Sequence, residues 1–450
     1  MNLESIRKCG SRPSIGAHSR RSARPGVYRS PALRPALGWA HGRCCPPGDR
    51  VITVDEHRSR ILDAVPPLPA VAHLHTDATG LVLAEDVVNR WPVPLFHNSG
   101  MDGYAVHRAD ATVGATLRVV GDVPAGSPDD PPMGPGEAIR IMTGAAVPTA
   151  ADAVVPLEHT DLGTEVRAEA PESIVITTEP KDGANIRRAG EDMAAGSVVV
   201  AAGSVLGPWQ LSAIASAGHE TIRVHRKPRV AVISTGSELI DPSGTPERGQ
   251  IPESNSVLLA AAVQQAGAEV CAVTRVPDDE HALRSVLAGL DADAVILTGG
   301  ASVGAFDVVK AVLDGTGSIA FTTVAMQPGK PQGFGLGDDG IPYFCLPGNP
   351  VSVAVSFEMF VRPALRRMAG HTAIDRPRVT RRAAVGWRRR AGRMQILPVV
   401  FDDQTVRPAS RGGSGSHMVA SLADATALAL IPAEVDHVSE GDLVTVMVLS

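Results

Sequence analysis

The rhythm of apolar and polar positions changes several times along the chain, and each change marks a different kind of element. Residues 51–65 carry a helical pattern that stops at Pro66 and Pro67, because proline lacks a helix donor and clashes with the preceding turn. From about residue 88 to 200 the runs shorten. Segments such as AVVPL and SIVIT alternate with Gly, Pro and Asp, the texture of short strands joined by turns. Residues 206–217 predict a short helix closed by Gly218.

Between residues 229 and 370 strand and helix patterns alternate. RVAVIS reads as a buried strand, and Asn255 or Ser256 is placed to cap a helix that ends at Gly267. EVCAVTRV is the next strand, residues 281–290 the next helix, and AVILTGG the strand after it. PYFCLPGNP is a strand feeding a helix, with Asn349 as N-cap and Pro350 at the first helical position. Such alternation implies a parallel or mixed sheet with helices on both faces. After residue 376 the pattern returns to short strands and turns with no clear helix, a small all-β domain. Its basic run, residues 387–393, reads first as a solvated turn, with an anion-facing role as the alternative.

Size and composition narrow the class. A chain of 450 residues exceeds one compact core and implies several domains. No apolar run is long enough to suggest a membrane span, and a net charge of −6 argues against nucleic-acid binding through bulk charge. The five cysteines (Cys9, Cys44, Cys45, Cys271, Cys345) form no Cys-x-x-Cys pair, which disfavours a zinc site or disulfide framework and fits a reducing, cytoplasmic setting. Residues 1–50 are rich in Arg, Ser, Pro and Gly and lack apolar periodicity. They read as a disordered leader, with an organellar transit peptide as the alternative.

The candidate chemistry sits at strand ends. Open parallel sheets bind ligands outside the carboxyl ends of their strands. Here RVAVIS runs into TGSEL, AVILTGG into ASVGAFD, and YFCL into PGNP. Small and hydroxyl residues at all three ends let backbone N–H groups approach an anion, and the third end opens into a helix N-terminus. Glu238, Asp278, Asp279 and Asp307 lie in the same loops. Carboxylates beside a phosphate site repel the ligand unless a cation intervenes, and magnesium is the usual one. Helix capping and solvated loop charge are the alternative for each. In the β-rich module, NSGMDGYAV presents Asp102, RIMTGAAVP offers Thr143, and NIRRAGED sets two arginines beside two acids, for phosphate or for an internal salt bridge.

Taken together, NSGMDGYAV, RIMTGAAVP, NIRRAGED, STGSEL, GQIPESN, LTGGASVGAFD and MQPGKP with LPGNPVS resemble the molybdopterin molybdenumtransferase family, the MoeA and gephyrin E-domain type. The resemblance runs from about residue 51 to 450. It implies a multidomain α/β plus β fold: an α/β molybdopterin-binding domain (51–69 and 227–370), a linking domain (70–87 and 195–226), a β-rich module (88–194) and a C-terminal β domain (371–450). It implies a homodimer whose active cleft is shared, Asp102 and Thr143 coming from one chain and Glu238, Asp278, Ser302, Asp307 and Lys330 from the other. The implied reaction takes adenylylated molybdopterin and molybdate, with Mg2+, and releases AMP.

By motif position the resemblance makes Asp102, Glu238, Asp278 and Asp307 catalytic, with Glu238 and Asp307 as metal ligands. It makes Thr143, Arg187, Asp192, Ser234, Thr235, Gly299, Gly300, Ser302, Lys330, Pro347, Asn349 and Ser416 substrate-binding. Docking with a molybdopterin adenylyltransferase is a further expectation. Thr323 and Gln327 stand where the family often carries lysine, Pro252 where an aromatic is common, and Pro398 where an arginine is usual. Two other functions share parts of this motif set. A non-catalytic molybdopterin-binding or scaffold paralogue would suit Thr323 and Gln327, and a molybdopterin adenylyltransferase would use a related sheet domain without the β-rich module.

Overall fold

The computed structural model describes residues 51–164, 168–299, 308–389, 392–410 and 418–449. The leader expected over residues 1–50 lies outside the described residues.

A seven-stranded sheet organises the chain. Its strands lie in the order Val51–Ile52, Ala320–Val324, Pro331–Leu336, Pro342–Leu346, Ala294–Thr298, Arg229–Thr235 and Glu269–Val276. All are parallel to their neighbours except Pro331–Leu336, which is antiparallel to both of its own. The central strands are apolar throughout because both faces are covered. Val230, Val232, Ala294 and Ile296 enter one core with the helices Val54–Ala64, Asn255–Gln265 and Pro350–Ser356. Ala231, Ile233, Val295 and Leu297 enter another with Glu280–Ala288 and Val308–Leu313.

The helix expected over residues 51–65 is shorter than its pattern. Val51 and Ile52 form a strand paired with Thr323 and Val324. The helix starts at Val54, where Thr53 and Glu56 form a reciprocal cap at 2.9 and 3.1 Å. Asn255 does not cap the next helix. Ser254 is the N-cap residue, and the Asn255 amide is used elsewhere.

A three-stranded sheet (Ala70–Leu74, Thr221–His225, Val82–Leu83), the pair Val87–Val88 with Val198–Val200, and helix Pro208–Ser216 share a separate core around Leu83, Ile214 and Val224. The β-rich module is a five-stranded sheet in the order Ser173–Val175, Thr116–Val123, Glu137–Ile141, Gly103–Val106, Ala153–Pro156.

In the C-terminal domain, strands Met394–Phe401, Thr405–Pro408, Arg378–Ala383, Leu443–Val448 and Ala427–Ile431 pair in succession. Ala427–Ile431 pairs back onto Met394–Phe401 and closes a small barrel. One short helix, Ala420–Asp424, appears where none was expected. Two residues of the basic run are tied down, while Arg388 is exposed. Trp387 is buried and donates to Gln395 at 3.2 Å, while Arg389 donates to the carbonyls of Pro432 and Ala433. Arg376 fastens the barrel to the sheet domain through both Glu358 oxygens at 3.0 Å, Gln265 at 2.8 Å and the Leu449 carbonyl.

Candidate active site

Three adjacent, parallel strands set the site. Pro342–Leu346, Ala294–Thr298 and Arg229–Thr235 are neighbours in the sheet, so their carboxyl ends open on one edge. The loops there are latched by buried polar groups. The Asn255 amide nitrogen donates to the Thr298 hydroxyl at 3.1 Å and to the Gly348 carbonyl at 2.7 Å. The Thr298 hydroxyl donates to the Pro347 carbonyl at 3.3 Å, and the Thr235 hydroxyl to the Thr298 carbonyl at 3.5 Å. Since the Gly348 carbonyl only accepts, the Asn255 amide has one orientation, which leaves its Oδ1 buried with no partner among the described residues. Gly299 has φ +90°, and a Cβ there would lie 2.2 Å from the Thr235 carbonyl oxygen, so backbone meets backbone without a side chain between.

Ser234 and Thr235 are buried, and their hydroxyls are spent inside the protein. Ser234 donates to Glu253 at 3.0 Å, and Glu253 also accepts from the backbone and hydroxyl of Ser256. Of the two in the GQIPESN segment, Glu253 was not singled out from the sequence and Asn255 was read only as a helix cap. The only signal was two polar residues preceding a helix, which reads as capping.

Glu238 is exposed, its carboxylate folded over Gly236, where an added Cβ would meet it at 2.6 Å. Asp278 holds the same loop. It accepts from the Ser237 N–H at 2.9 Å, and its own N–H donates to the Ser237 hydroxyl at 3.1 Å. Asp279 is the N-cap of Glu280–Ala288, accepting from Ala282 at 2.6 Å, which is the capping alternative realised. Asn349 lies at the N-cap of Pro350–Ser356 with no side-chain capping bond to that helix.

Lys330 reaches this edge by a different route. Its strand runs antiparallel to Pro342–Leu346, with Gly333 opposite Cys345, so the amino end of Pro331–Leu336 comes beside the Pro347–Asn349 loop. Lys330 is exposed there. Thr323 is paired with both Val51 and Pro331 in the sheet, and Gln327 is paired with Gln395 of the barrel. Gly300, Ser302, Asp307 and Ser416 lie outside the described residues. Among the described residues no three His, Cys, Asp or Glu side chains converge as a metal cluster.

A second cluster forms in the β-rich module. The Asp102 Oδ1 accepts from the Thr143 N–H at 2.6 Å and from its hydroxyl at 2.8 Å. These two bonds hold the Asp102 carboxyl below its ordinary range. The third motif joins them. The Gly100 N–H donates to the Asn185 carbonyl at 2.7 Å, and Arg187 pairs with Asn98. Arg187 and Asp192 are exposed, and among the described residues neither has an ion-pair partner. The Glu191 carboxylate instead accepts from the Arg188 backbone N–H at 2.7 Å. Among the described residues, no strand of this module is bonded into the seven-stranded sheet.

Fold and site together define a multidomain α/β protein in which three strand ends open on one sheet edge, with a separate carboxylate–hydroxyl cluster on a β module. Residues 52–218 match the model of the MoeA N-terminal region (domains I and II), residues 231–367 that of a probable molybdopterin-binding domain, and residues 380–449 that of the MoeA C-terminal region (domain IV). Molybdopterin molybdenumtransferase 2 of Mycobacterium tuberculosis is 42% identical over 404 residues, covering 86% of this chain and 97% of the relative. The molybdopterin molybdenumtransferase of Haemophilus influenzae is 33% identical, covering 88% and 98%. A crystal structure of the MoeA protein from Pyrococcus horikoshii superposes with TM-score 0.76 at 30% identity, covering 89% of this chain and 99% of that one. The chain belongs to the molybdopterin molybdenumtransferase family.

Proposed function

We propose that this chain catalyses the molybdenum-insertion step of molybdenum cofactor biosynthesis, taking adenylylated molybdopterin and molybdate and releasing AMP. The observation that carries this reading is the sheet edge. Three strand ends with small and hydroxyl residues open side by side, latched by Asn255 and flanked by Lys330, in a chain that matches the family along nearly all of residues 52–449. Backbone N–H groups at these ends and the Lys330 ammonium suit the phosphate oxygens of the substrate. Arg187 suits its anionic groups from the second cluster, while both Thr143 donors are held by Asp102.

Magnesium fits the donors present. Glu238 is an exposed carboxylate on a loop that Asp278 holds by hydrogen bonds, and magnesium commonly takes one or two carboxylates together with substrate phosphates. Held by Glu238 and by Asp307, the pair that the resemblance implies, it would offset charge on the leaving phosphate. Asp102 stays ionised at neutral pH and is available to orient the attacking group or a cation. The chain works as a cytoplasmic homodimer with the two clusters meeting across the interface, and the adenylyltransferase that makes its substrate docks beside the cleft.

Incubation with adenylyl-molybdopterin, Mg2+ and molybdate tests the reading. Molybdate-dependent release of AMP is expected. Tight pterin binding with no AMP release would establish the scaffold alternative instead.

A further inference from the structure

The turn that presents Lys330 is held from several directions. The Ala325 N–H donates to the Ile52 carbonyl at 2.7 Å, and the Val324 N–H to the Lys330 carbonyl at 2.8 Å. Met326 and Gln327 add a short parallel strand to the C-terminal barrel opposite Met394 and Gln395, and the Met394 N–H donates to the Ala325 carbonyl at 2.9 Å. These contacts fix the turn's backbone up to Gln327 and again at the Lys330 carbonyl.

Between Gln327 and Lys330, at Gly329, the turn is held by a side chain. Gln332 is 1% exposed, and its Nε2 donates to the Gly329 carbonyl and to the Ser356 hydroxyl, both at 2.7 Å. A carbonyl only accepts, so the atom facing Gly329 is the amide nitrogen, and both of its hydrogens are used. Ser356 lies on the helix that begins at Pro350, directly after the Pro347–Asn349 loop. One buried amide therefore ties the Lys330 turn to the helix that opens at the third strand end. The turn has little slack. Gly329 has φ +92°, and an added Cβ would lie 3.1 Å from the Ser356 Oγ and 3.2 Å from the Met326 Cε.

We infer that Gln332 is a positioning residue for the anionic substrate, holding the Lys330 turn against the Pro350–Ser356 helix so that the lysine is presented beside the anion-binding loops. This rests on the reading of Lys330 as an anion contact. Lysine carries its charge on a flexible stem, so its contribution to binding depends on how much freedom is already removed before the ligand arrives. A Gln332 that only stabilised the fold would lower the melting temperature and would affect ligand affinity equally whether or not Lys330 were present.

The test is a double-mutant cycle on the full chain, measuring the Kd of molybdopterin by fluorescence titration and the melting temperature of each variant. Gln332→Leu is expected to raise Kd on the order of tenfold. Lys330→Ala should raise it at least as much, and the double variant no further than Lys330→Ala alone. Ser356→Ala, which frees one amide hydrogen and leaves the Gly329 bond, covers the case in which Gln332→Leu does not fold. It should give a smaller rise, again absent without Lys330. Additive losses, or an unchanged Kd in folded Gln332→Leu or Ser356→Ala while Lys330→Ala weakens binding, overturn the positioning role. An unchanged Kd in Lys330→Ala overturns the reading of Lys330 itself.

Discussion

Asp102 and Thr143 are joined twice, the Asp102 Oδ1 accepting from the Thr143 backbone at 2.6 Å and from its hydroxyl at 2.8 Å. Both bonds favour the ionised carboxylate, so its pKa in the fold lies below the ordinary value. With the folded value lower, the stabilisation is complete above the unfolded carboxylate range and disappears as pH falls through the folded one. The carboxylate is largely exposed, so water screens its effect on stability, and the main consequence is a charge that persists in mild acid. Thr143→Val removes the hydroxyl bond and should move the Asp102 titration upward in carbon-detected NMR. Asp102→Asn keeps an acceptor for Thr143 and loses the charge. Turnover should fall on the order of 100-fold or more with little change in melting temperature. Normal turnover would reduce Asp102 to a turn residue.

Gly299 carries a sharper structural demand. Its φ of +90° and the 2.2 Å approach of an added Cβ to the Thr235 carbonyl mean that no side chain fits without moving a strand end. Gly299→Ala should therefore cost about 1–3 kcal/mol in urea denaturation and weaken molybdopterin binding. A stable variant with unchanged affinity would show that the loop relaxes and that its backbone does not hold the ligand.

His57, in the helix Val54–Ala64, sets a pH dependence of stability. It is 3% exposed and stands edge-on to Phe360 with ring centroids 4.7 Å apart. Burial, with Arg60 nearby, pushes its pKa from 6.5 down to about 4. Between those values the unfolded chain takes up a proton that the folded chain refuses. Stability from this group is therefore complete above pH 6.5 and declines as pH drops toward about 4, by on the order of 3 kcal/mol. His371, half-buried and also lowered to about 4, acts in the same direction. Urea midpoints at pH 7, 6 and 5 should fall more steeply for the native chain than for His57→Leu. Equal slopes would contradict the assignment to His57.

The strands that form the site edge were legible because burial on both faces makes RVAVIS, AVILT and PYFCL continuous apolar runs. Asp102 and Thr143 were each legible as a loop candidate, but they stand 41 positions apart and their bonding depends on strand register. Val51–Ile52 was absorbed into the helix pattern because two residues show no period, and only pairing with Thr323 and Val324 makes them a strand. Gly333 and Gly335 hide the antiparallel strand by removing its alternation. The fold requires both, since a Cβ on Gly333 would meet the Cys345 Cβ and the Phe321 ring at 2.8 Å and one on Gly335 the Ser318 carbonyl oxygen at 2.4 Å. Asn255 looked like a cap because its partner Gly348 lies 93 residues away.

The shared cleft makes a prediction that arithmetic can decide. Among the described residues the Asp102–Thr143 cluster and the Glu238–Asp278 loops belong to sheets with no strand pairing between them, and the proposed cleft takes one cluster from each subunit. In a two-fold dimer this makes two equivalent clefts. Asp102→Asn and Glu238→Gln homodimers would each carry one lesion in both clefts and be inactive. A heterodimer of the two chains would concentrate both lesions in one cleft and leave the other intact. Isolated with two different affinity tags after co-expression, it should recover about half of the native turnover per dimer. If each cleft were built within one chain, every cleft of the heterodimer would keep one lesion and no activity would return. An inactive heterodimer of verified composition would thus place the whole site in a single subunit.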